Sequence, residues 1–379
     1  MSRILRKRRL RLLLAGAIAL AALWWFGNSM MAGPTSGWKT DFSKSIIDLD
    51  QVVSGGVPRD GIPPIDNPRF QPVGSVYHLS DNSPVVAVNV AGDARAYPLE
   101  VLTRHEIVND VVGEIPVAVT FCPLCNSALV YDRRVDGETL RFGVSGNLLN
   151  SDLIMWDDLT ESWWQQLTGY AIVGEYSGRR LEFVTSQMIS FAVFRERYPS
   201  GKVLQGPLGA YGRNPYTFYD SSAEPFLFRG TLDDRLQPTE RVLGAEVAEQ
   251  PLAYSFPLLR RVRLVNDRVG DIDIVVFWQA GAASALDQTD IDSSRDVGMA
   301  LMFERRLDSG QTLSFFHDGD GFVDYETGSR WNILGEAYEG PLAGTQLRQT
   351  HASTHFWFAW AAFHPDTLLN DDAREPSGR

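Results

Sequence analysis

The sequence has few cysteines, few histidines and few bases beyond its first residues. Only two cysteines and six histidines occur among 379 residues, which excludes a disulfide framework. Both cysteines lie in one segment, Cys122-Pro-Leu-Cys125, and a single CxxC of this kind indicates redox or metal chemistry. Residues 1–11 carry six bases and no acid, and the remaining chain has 29 bases against 47 acids, a net charge of −18. This acidic body argues against nucleic-acid binding.

The common catalytic signatures are also missing, as is any long apolar run beyond the N-terminus. No GxSxG, HExxH, P-loop or GxGxxG arrangement occurs in a suitable context, which leaves open whether the protein is an enzyme. No stretch after residue 34 approaches about 18 apolar residues, so one membrane span at most is predicted. The 44% apolar and 22% charged residues are typical of a globular protein and exclude a disordered, collagen-like or polytopic membrane chain.

A basic flank precedes the main apolar segment of the chain. After the six bases comes an uncharged run from Leu12 to Phe26, which reaches about 20 residues when it is extended through Met31. Residues 1–34 are therefore predicted to be a signal anchor or a cleaved signal peptide, with the basic flank in the cytoplasm. We expect the protein at the cell membrane through a single N-terminal span, with its body in the periplasm or outside the cell. In bacteria that space is oxidising.

Two segments of the body are similar to each other. Residues 96–119 and 253–276 align without a gap at an offset of 157 residues, and both contain Ala-Tyr, Val-Asn-Asp and Val-x-Gly-x-Ile. Further matches follow in the same order, including a Thr-x-Ser-x-Trp motif at residues 160–164 and at residues 327–331. Self-similarity of this kind indicates two homologous units.

Each unit combines strand patterns with short helical ones. Leu99 to Val108 has helical period, Ile115 to Phe121 is a β-branched strand, and a hairpin is predicted around Asp136-Gly137. Helices are predicted near Ser186–Arg197 and Ser353–Phe363. We therefore expect an α+β fold of two tandem, pseudo-symmetric units of mostly antiparallel β-strands with short helices, after the N-terminal signal anchor. The predicted boundaries are 1–34 for the signal segment, 45–205 for the first unit, 206–238 for the connector and 239–370 for the second, degenerate unit.

The two copies keep some polar residues and differ in others. Three residues recur, and we interpret them as turn and capping residues: Asn109, Asp110 and Gly113, which correspond to Asn266, Asp267 and Gly270. The residues that could bind a metal occur in one copy only: His105, Glu106, Cys122 and Cys125 correspond to Val262, Arg263, Gln279 and Ala282. This difference predicts one site in the first unit that the second unit lacks.

The cysteine pair is predicted to form a metal or redox centre. Cys122 and Cys125 follow the strand that ends at Phe121, and a CxxC in a turn can direct both sulfurs to one ion. His105 is the predicted third ligand, and its neighbour Glu106 is a ligating or orienting group. Such a donor set suits one Zn or Cu ion.

The same residues leave one alternative to a metal centre open and argue against another. A plain disulfide between Cys122 and Cys125 needs no metal and remains the alternative. A thioredoxin-type site is not expected, because that motif opens a helix, whereas residues 126–131 have the pattern of a strand.

A second polar cluster lies between residues 145 and 166. It is rich in amides and indoles, which line pockets for sugars and other small polar molecules. The candidate ligand-binding residues are Asn147, Asn150, Asp152, Trp163 and Gln165. The alternative is that these are turn residues and core tryptophans. Two further candidates, His351 and His355, are better interpreted as part of a helix that packs against a sheet.

Five segments of the chain carry a recognisable combination of motifs. They are His105–Asp110, Pro116–Ala128 with its CPLC sequence, Val144–Asp152, Glu161–Thr168 with its WWQQ sequence, and Phe356–Asp366. Together they resemble the exported prokaryotic family catalogued as domain of unknown function 3179, over roughly residues 45–370. The resemblance implies export and a recurrent His plus CxxC pattern, and it implies no established activity.

Two functions are compatible with these patterns. The first is an exported, membrane-anchored protein whose first unit holds a Cu or Zn centre, for redox chemistry or metal handling. The second is a non-enzymatic binding module with a structural Cys122–Cys125 disulfide and a small polar ligand such as a glycan. The expected partners are the membrane, through the N-terminal segment, and a metal ion or small molecule.

Overall fold

In the part that the structure describes, the chain folds into mostly antiparallel β-sheets with four short α-helices. The computed structural model describes residues 33–206 and 213–371. The elements of the first half are β1 (Val53–Ser54), β2 (Phe70–Pro72), β3 (Pro84–Val90), β4 (Asp93–Pro98), α1 (Leu99–His105), β5 (Ile107–Val112), β6 (Ile115–Cys122), β7 (Ser127–Asp132), β8 (Arg134–Val135), β9 (Glu138–Thr139), β10 (Phe142–Leu149), β11 (Asp152–Asp157), β12 (Trp163–Gln165), β13 (Ala171–Val173), β14 (Ser186–Ser190), α2 (Phe191–Arg197) and β15 (Lys202–Leu204). Those of the second half are β16 (Arg241–Val247), β17 (Gln250–Ser255), α3 (Phe256–Val262), β18 (Leu264–Val269), β19 (Ile272–Gln279), β20 (Met299–Glu304), β21 (Phe315–His317), β22 (Phe322–Asp324), β23 (Arg330–Trp331), β24 (Ala337–Glu339), β25 (Ala352–Phe356), α4 (Trp357–Phe363) and β26 (Leu368–Asn370).

The sheets of the first half have counterparts of the same strand order in the second. The order β14-β3-β4-β15 corresponds to β25-β16-β17-β26, β5-β6-β7 to β18-β19-β20, and β10-β11-β12-β13 to β21-β22-β23-β24. In the first pair of sheets, β15 runs parallel to β4 and β26 runs parallel to β17, whereas the other neighbours are antiparallel. The predicted α+β class with mostly antiparallel sheets is therefore confirmed.

Strands run directly into the helices, which the sequence pattern does not reveal. The predicted helices at Ser186–Arg197 and Ser353–Phe363 are wrong in their first parts, because those residues form β14 and β25. Ser190 ends β14 and caps α2, since its hydroxyl accepts a hydrogen bond from Val193 N at 3.4 Å. The predicted helix from Leu99 to Val108 ends earlier, at His105.

Two recurring polar residues lie inside a strand and not in a turn. Asn109 and Asp110 belong to β5, so the interpretation of them as turn residues is wrong. The Asn109 side chain donates to Phe142 O at 2.8 Å and accepts from Phe142 N at 2.9 Å. Asp110 accepts from the Tyr97 hydroxyl at 2.6 Å. Gly113, with a φ of 57°, does lie in the turn between β5 and β6.

These side-chain bonds recur in the second half. Asn266 donates to Phe315 O at 2.8 Å and accepts from Phe315 N at 3.0 Å. The Tyr254 hydroxyl donates to Asp267 at 2.6 Å. The polar residues that recur in the two similar segments thus hold neighbouring strands together, which accounts for their recurrence.

The two halves share a hydrophobic core. Cys122 and Cys125 are buried in a cluster that also contains Phe358 and Trp360 of α4, so the cysteine loop lies deep in the molecule. β25 lies against β7, and the Ser353 hydroxyl donates to a β7 carbonyl at 2.6 Å.

The predicted signal segment, residues 1–34, lies almost entirely outside the described residues. Within residues 33–206 and 213–371, no helix has the length and apolar character needed to cross a membrane.

Candidate metal centre

The cysteine loop lies where β6 turns into β7. Pro123–Cys125 form one turn of 3-10 helix after Cys122, and Asn126, with a φ of 49°, returns the chain to the next strand. Proline suits the first position of such a turn, because its φ is fixed and it has no N–H to leave unpaired. The Sγ atoms of Cys125 and Cys122 are 3.6 and 4.0 Å from the Ser151 carbonyl oxygen, and both thiols are free.

The β10–β11 hairpin brings a carboxylate to the sulfurs. Asn150 and Ser151, with φ values of 51° and 68°, make the tight turn, and Asp152 is the first residue of β11. The two Sγ atoms and a carboxylate oxygen of Asp152 lie within 4.8 Å of one another, and all three residues are buried. Among the described residues, no other three Cys, His, Asp or Glu side chains form such a group. Asp152 was predicted as part of a separate ligand site, and the structure places it here.

Asp152 is bonded through one oxygen and lacks a partner at the other. Its Oδ2 accepts hydrogen bonds from the Gln165 side-chain amide and from Leu167 N, the latter at 3.0 Å. Its Oδ1 is buried and has no hydrogen-bond partner. An unpartnered buried polar atom costs about 1–3 kcal/mol. A cation next to this oxygen would remove that cost, and both cysteine sulfurs lie within 4.8 Å of the carboxylate.

Burial raises the pKa of every acidic group in the site. It raises the pKa of Asp152 to about 6 and the pKa of Glu106 to about 8, and the Asp152 charge adds to the shift of Glu106. Burial also raises the pKa of the Cys122 and Cys125 thiols. A bound cation acts in the opposite direction, because it stabilises thiolates and carboxylates. The group can hold a metal ion, and without one its thiols are poor nucleophiles.

Glu106 and His105 end α1 in different surroundings. Glu106 follows the helix with a φ of 57°, and its carbonyl oxygen accepts from Phe121 N at 2.8 Å. Its side chain is buried, and Asp152 acts on it electrostatically. His105 lies outside the group of the two cysteines and Asp152, and its Nδ1 is 2.6 Å from the carbonyl oxygen of Pro63. Of the predicted ligand set, the two cysteines belong to the group of three, whereas Glu106 and His105 lie outside it; Glu106 acts on Cys122 electrostatically.

The remaining predicted ligand-binding residues occupy different places. Gln165 lies next to the metal-ligand candidates through its bond to the Asp152 carboxylate. Asn147 lines a neighbouring cleft, and Asn150 forms the hairpin turn. Trp163 is completely buried and packs edge-on against Trp38 and Phe42.

A cleft of about 620 Å³ opens beside the cysteine loop. Glu106 and Leu124 line it on the side of the loop, and residues of β10 line it on the side of the hairpin. The opposite side consists of connector residues between Pro215 and Phe226. This volume lies in the range of small-molecule sites.

The connector is bonded to the tip of the hairpin. The Ser151 hydroxyl donates to Phe226 O, and Phe226 N donates to the Tyr219 hydroxyl at 3.2 Å. Tyr216 and Tyr219 line the cleft, and burial raises the pKa of both phenols, with a further contribution from the Glu106 charge at Tyr216. No sequence pattern predicts these tyrosines, because the connector contains no motif and its position over the site depends on the folded structure.

The second half holds the connector in place. Asp220 is completely buried and accepts from Arg241 Nη2 at 2.9 Å and from the Ser284 hydroxyl at 2.5 Å. It also forms an ion pair with Arg295 at 3.0 Å. Ser284 and Arg295 belong to the segment between β19 and β20, so this segment supports one wall of the cleft.

A second cavity, of about 290 Å³, lies between the two halves. His351, His355 and His364 line it together with Arg180 and Trp360. The ring centroids of His355 and His364 are 5.1 and 4.0 Å from that of Trp360. Burial lowers the pKa of His355 to about 3 and that of the other two histidines to about 4.

The comparison with known proteins identifies one family. The chain has no match among curated proteins or among solved structures. The family described as "Protein of unknown function (DUF3179)" matches residues 59–367. The match includes the cysteine loop, the β10–β11 hairpin and the connector, and it spans most of the chain. The protein therefore belongs to the DUF3179 family.

Proposed function

We propose that the protein is an exported, membrane-anchored protein whose first unit holds one Zn or Cu ion between Cys122, Cys125 and Asp152. The observation that carries this proposal is the buried group of two sulfurs and one carboxylate within 4.8 Å, next to a carboxylate oxygen without a partner. The centre serves metal handling or redox chemistry at the cleft beside it.

The donor set selects among metals by its softness. Two thiolates favour Zn and Cu over Mg or Ca, and a carboxylate is an accepted further ligand of Zn. Glu106 lies at the cleft side and is the candidate for the remaining position or for orienting a bound molecule.

A tandem duplication supports the assignment of function to the first unit. We take residues 45–205 and 239–370 as pseudo-symmetric units joined by the connector 206–238. Their strand orders agree. The second unit has Gln279 and Ala282 in place of the cysteines, and its hairpin strands β21 and β22 have three residues each, against eight and six in β10 and β11. The longer hairpin, which carries Asp152, therefore occurs in the same unit as the two cysteines.

Metal analysis of the full-length chain, purified without a chelator, tests the centre. We expect about one ion per chain in the wild type, and loss of that ion in Cys122→Ser and Asp152→Asn. His105→Ala should retain it, because His105 lies outside the group of three. The matched control is Asp324→Asn, which changes an equally buried aspartate of the second half. A wild type without metal, or equal metal in the wild type and Cys122→Ser, overturns the proposal.

The alternative function is a binding module with a Cys122–Cys125 disulfide, and the cleft of about 620 Å³ favours a small-molecule ligand in either case. Thiol titration under native and denaturing conditions separates the two. Two thiols that are protected until the metal is removed support the metal centre. No reactive thiol in metal-free, unfolded protein supports the disulfide.

Export is part of the same proposal and rests on charge. Six bases precede the apolar run, and no acid occurs before Asp41. An alkaline phosphatase fused after Pro34 should be active, and a cytoplasmic reporter fused there should be inactive, because the basic flank stays in the cytoplasm. The opposite pattern would contradict export.

A further inference from the structure

The cleft has only acids as charged groups among the described residues that line it. These acids are Glu106, which is buried beside the cysteine loop, and Glu224, which is exposed on the connector. No lysine, arginine or histidine of the described chain is part of the lining. The cavity between the halves differs, because Arg180 and three histidines line it.

One wall of the cleft is aromatic. Tyr216, Phe218, Tyr219 and Phe226 all come from the connector. Phe218 and Phe226 are 61% and 50% exposed, unusual values for phenylalanine in a folded chain. Both rings line the cleft and are exposed to solvent, so they are available to a bound molecule.

We propose that this cleft binds an organic cation, a molecule with an ammonium group and an apolar substituent. Aromatic faces attract cations through their quadrupoles, and the attraction is stronger where water is excluded. Exposed Glu224 supplies the complementary negative charge, buried Glu106 adds a second carboxyl to the lining, and the apolar part, which includes Leu124 and Leu153, accommodates the substituent. An anionic ligand would find no basic partner in this lining.

The acidic body favours the same ligand class at longer range. Apart from residues 1–11 the chain has a net charge of −18, which concentrates cations at its surface. The inference rests on the proposed function in one respect: the ligand would bind in the cleft beside the proposed metal centre.

Choline and its uncharged isostere 3,3-dimethylbutan-1-ol test the proposal. They have the same shape and hydroxyl group, and the quaternary nitrogen has no electron pair to bind a metal. Binding of each to the full-length chain in non-ionic detergent is measured by calorimetry, before and after removal of metal. We expect choline to bind at least about tenfold more tightly. Glu106→Gln and Glu224→Gln should each reduce this ratio.

The control is Glu249→Gln, which changes an exposed glutamate at the other cavity and should leave the ratio unchanged. Glu224 is exposed, so its variant tests the charge even where Glu106→Gln fails to fold. Equal affinities of the two probes, no binding of either, or an unchanged ratio in both cleft variants overturns the inference. If the protein as purified carries no metal and still prefers choline, the metal centre is contradicted and the inference stands.

Discussion

One buried amide fixes the start of the hairpin that carries Asp152. Asn109 of β5 bonds both the N–H and the carbonyl of Phe142, the first residue of β10. It is 4% exposed, so these bonds lie out of water. Each group would remain unpaired if the amide were removed.

Asn109→Ala should therefore destabilise the protein by about 2–4 kcal/mol, since two buried backbone groups lose their partner. We also expect a lower metal content, because the hairpin is no longer tied to β5. Denaturant unfolding and metal analysis of the same preparations measure both effects.

The second half provides the matched variant. Asn266→Ala removes the same two bonds from Phe315; because Asn266 is half-buried and lacks the bond of Asn109 to Asp66, it should lower the free energy of unfolding by less, with the metal content unchanged. If Asn109→Ala and Asn266→Ala bind the same amount of metal, the link from this amide to the site is wrong.

For single residues, the sequence predicted which side chains have a structural or functional role better than it predicted their partners in the fold. Recurrence in two copies marked Asn109 as structural, but its partner is 33 residues away, and no local pattern records that distance. Asp152 was predicted as functional for its polar neighbours. Its proximity to the cysteines depends on a turn whose carbonyl lies 26 residues beyond Cys125 in the chain.

At the scale of elements, the β10–β11 hairpin depends on one glycine. Gly146 has a φ of 81°, and its carbonyl oxygen accepts from Gly55 N at 2.7 Å. A Cβ atom at this position would lie 2.1 Å from the Val57 carbonyl oxygen. The N-terminal loop can pack on the hairpin only because this side chain is absent.

Gly146→Ala should destabilise the protein by more than about 2 kcal/mol, because backbone strain and a clash with backbone act together. Gly137→Ala is the control: its φ is 91°, and a Cβ atom there meets nothing within 4 Å. It should cost only about 1 kcal/mol. Urea unfolding of the two variants compares the costs, and equal costs would refute the clash.

Element types were predictable where a turn separates the elements. The hairpin at Asp136-Gly137 is confirmed, since β8 and β9 flank these two residues. The starts of α2 and α4 were not predictable, because β14 and β25 pass into these helices without an intervening turn.

At the scale of the whole molecule, the halves meet around neutral histidines. His355 is 2% exposed, and its Nδ1 has no hydrogen-bond partner. The other charged or titratable groups in contact with this cavity include His351, His364, Arg180 and Glu246. Burial opposes protonation of His355, with smaller contributions from His364 and His351, and the pKa of His355 falls to about 3.

We expect the protein to lose stability as the pH falls below about 6.5, the pKa of histidine in the unfolded chain. The unfolded state binds the proton first, so the contribution of His355 is complete above pH 6.5 and disappears as the pH approaches 3. Its size is on the order of 5 kcal/mol. Thermal unfolding between pH 4 and pH 7 measures it.

His355→Gln should flatten this pH dependence, whereas His78→Gln, which changes an exposed histidine, should not. A pH profile that is identical in the wild type and His355→Gln would show that this histidine does not set the acid limit.

The sequence predicted two similar halves but not how they depend on each other. Internal similarity reports what the copies share, whereas the contacts of Asp220 and the cavity at His355 join residues that differ between them. Such contacts leave no repeated pattern.

The ion pairs that hold the connector should keep the molecule together even after the backbone is cut. Residues 229–232 are exposed, and Asp220 before them is bonded to Arg241 and Arg295 after them. A protease that cuts after Arg229 should therefore produce two fragments that elute together in native gel filtration and separate only in denaturant. The cut protein should behave as a heterodimer. One fragment contains the proposed metal ligands, and the other supports the connector residues that line the cleft beside them.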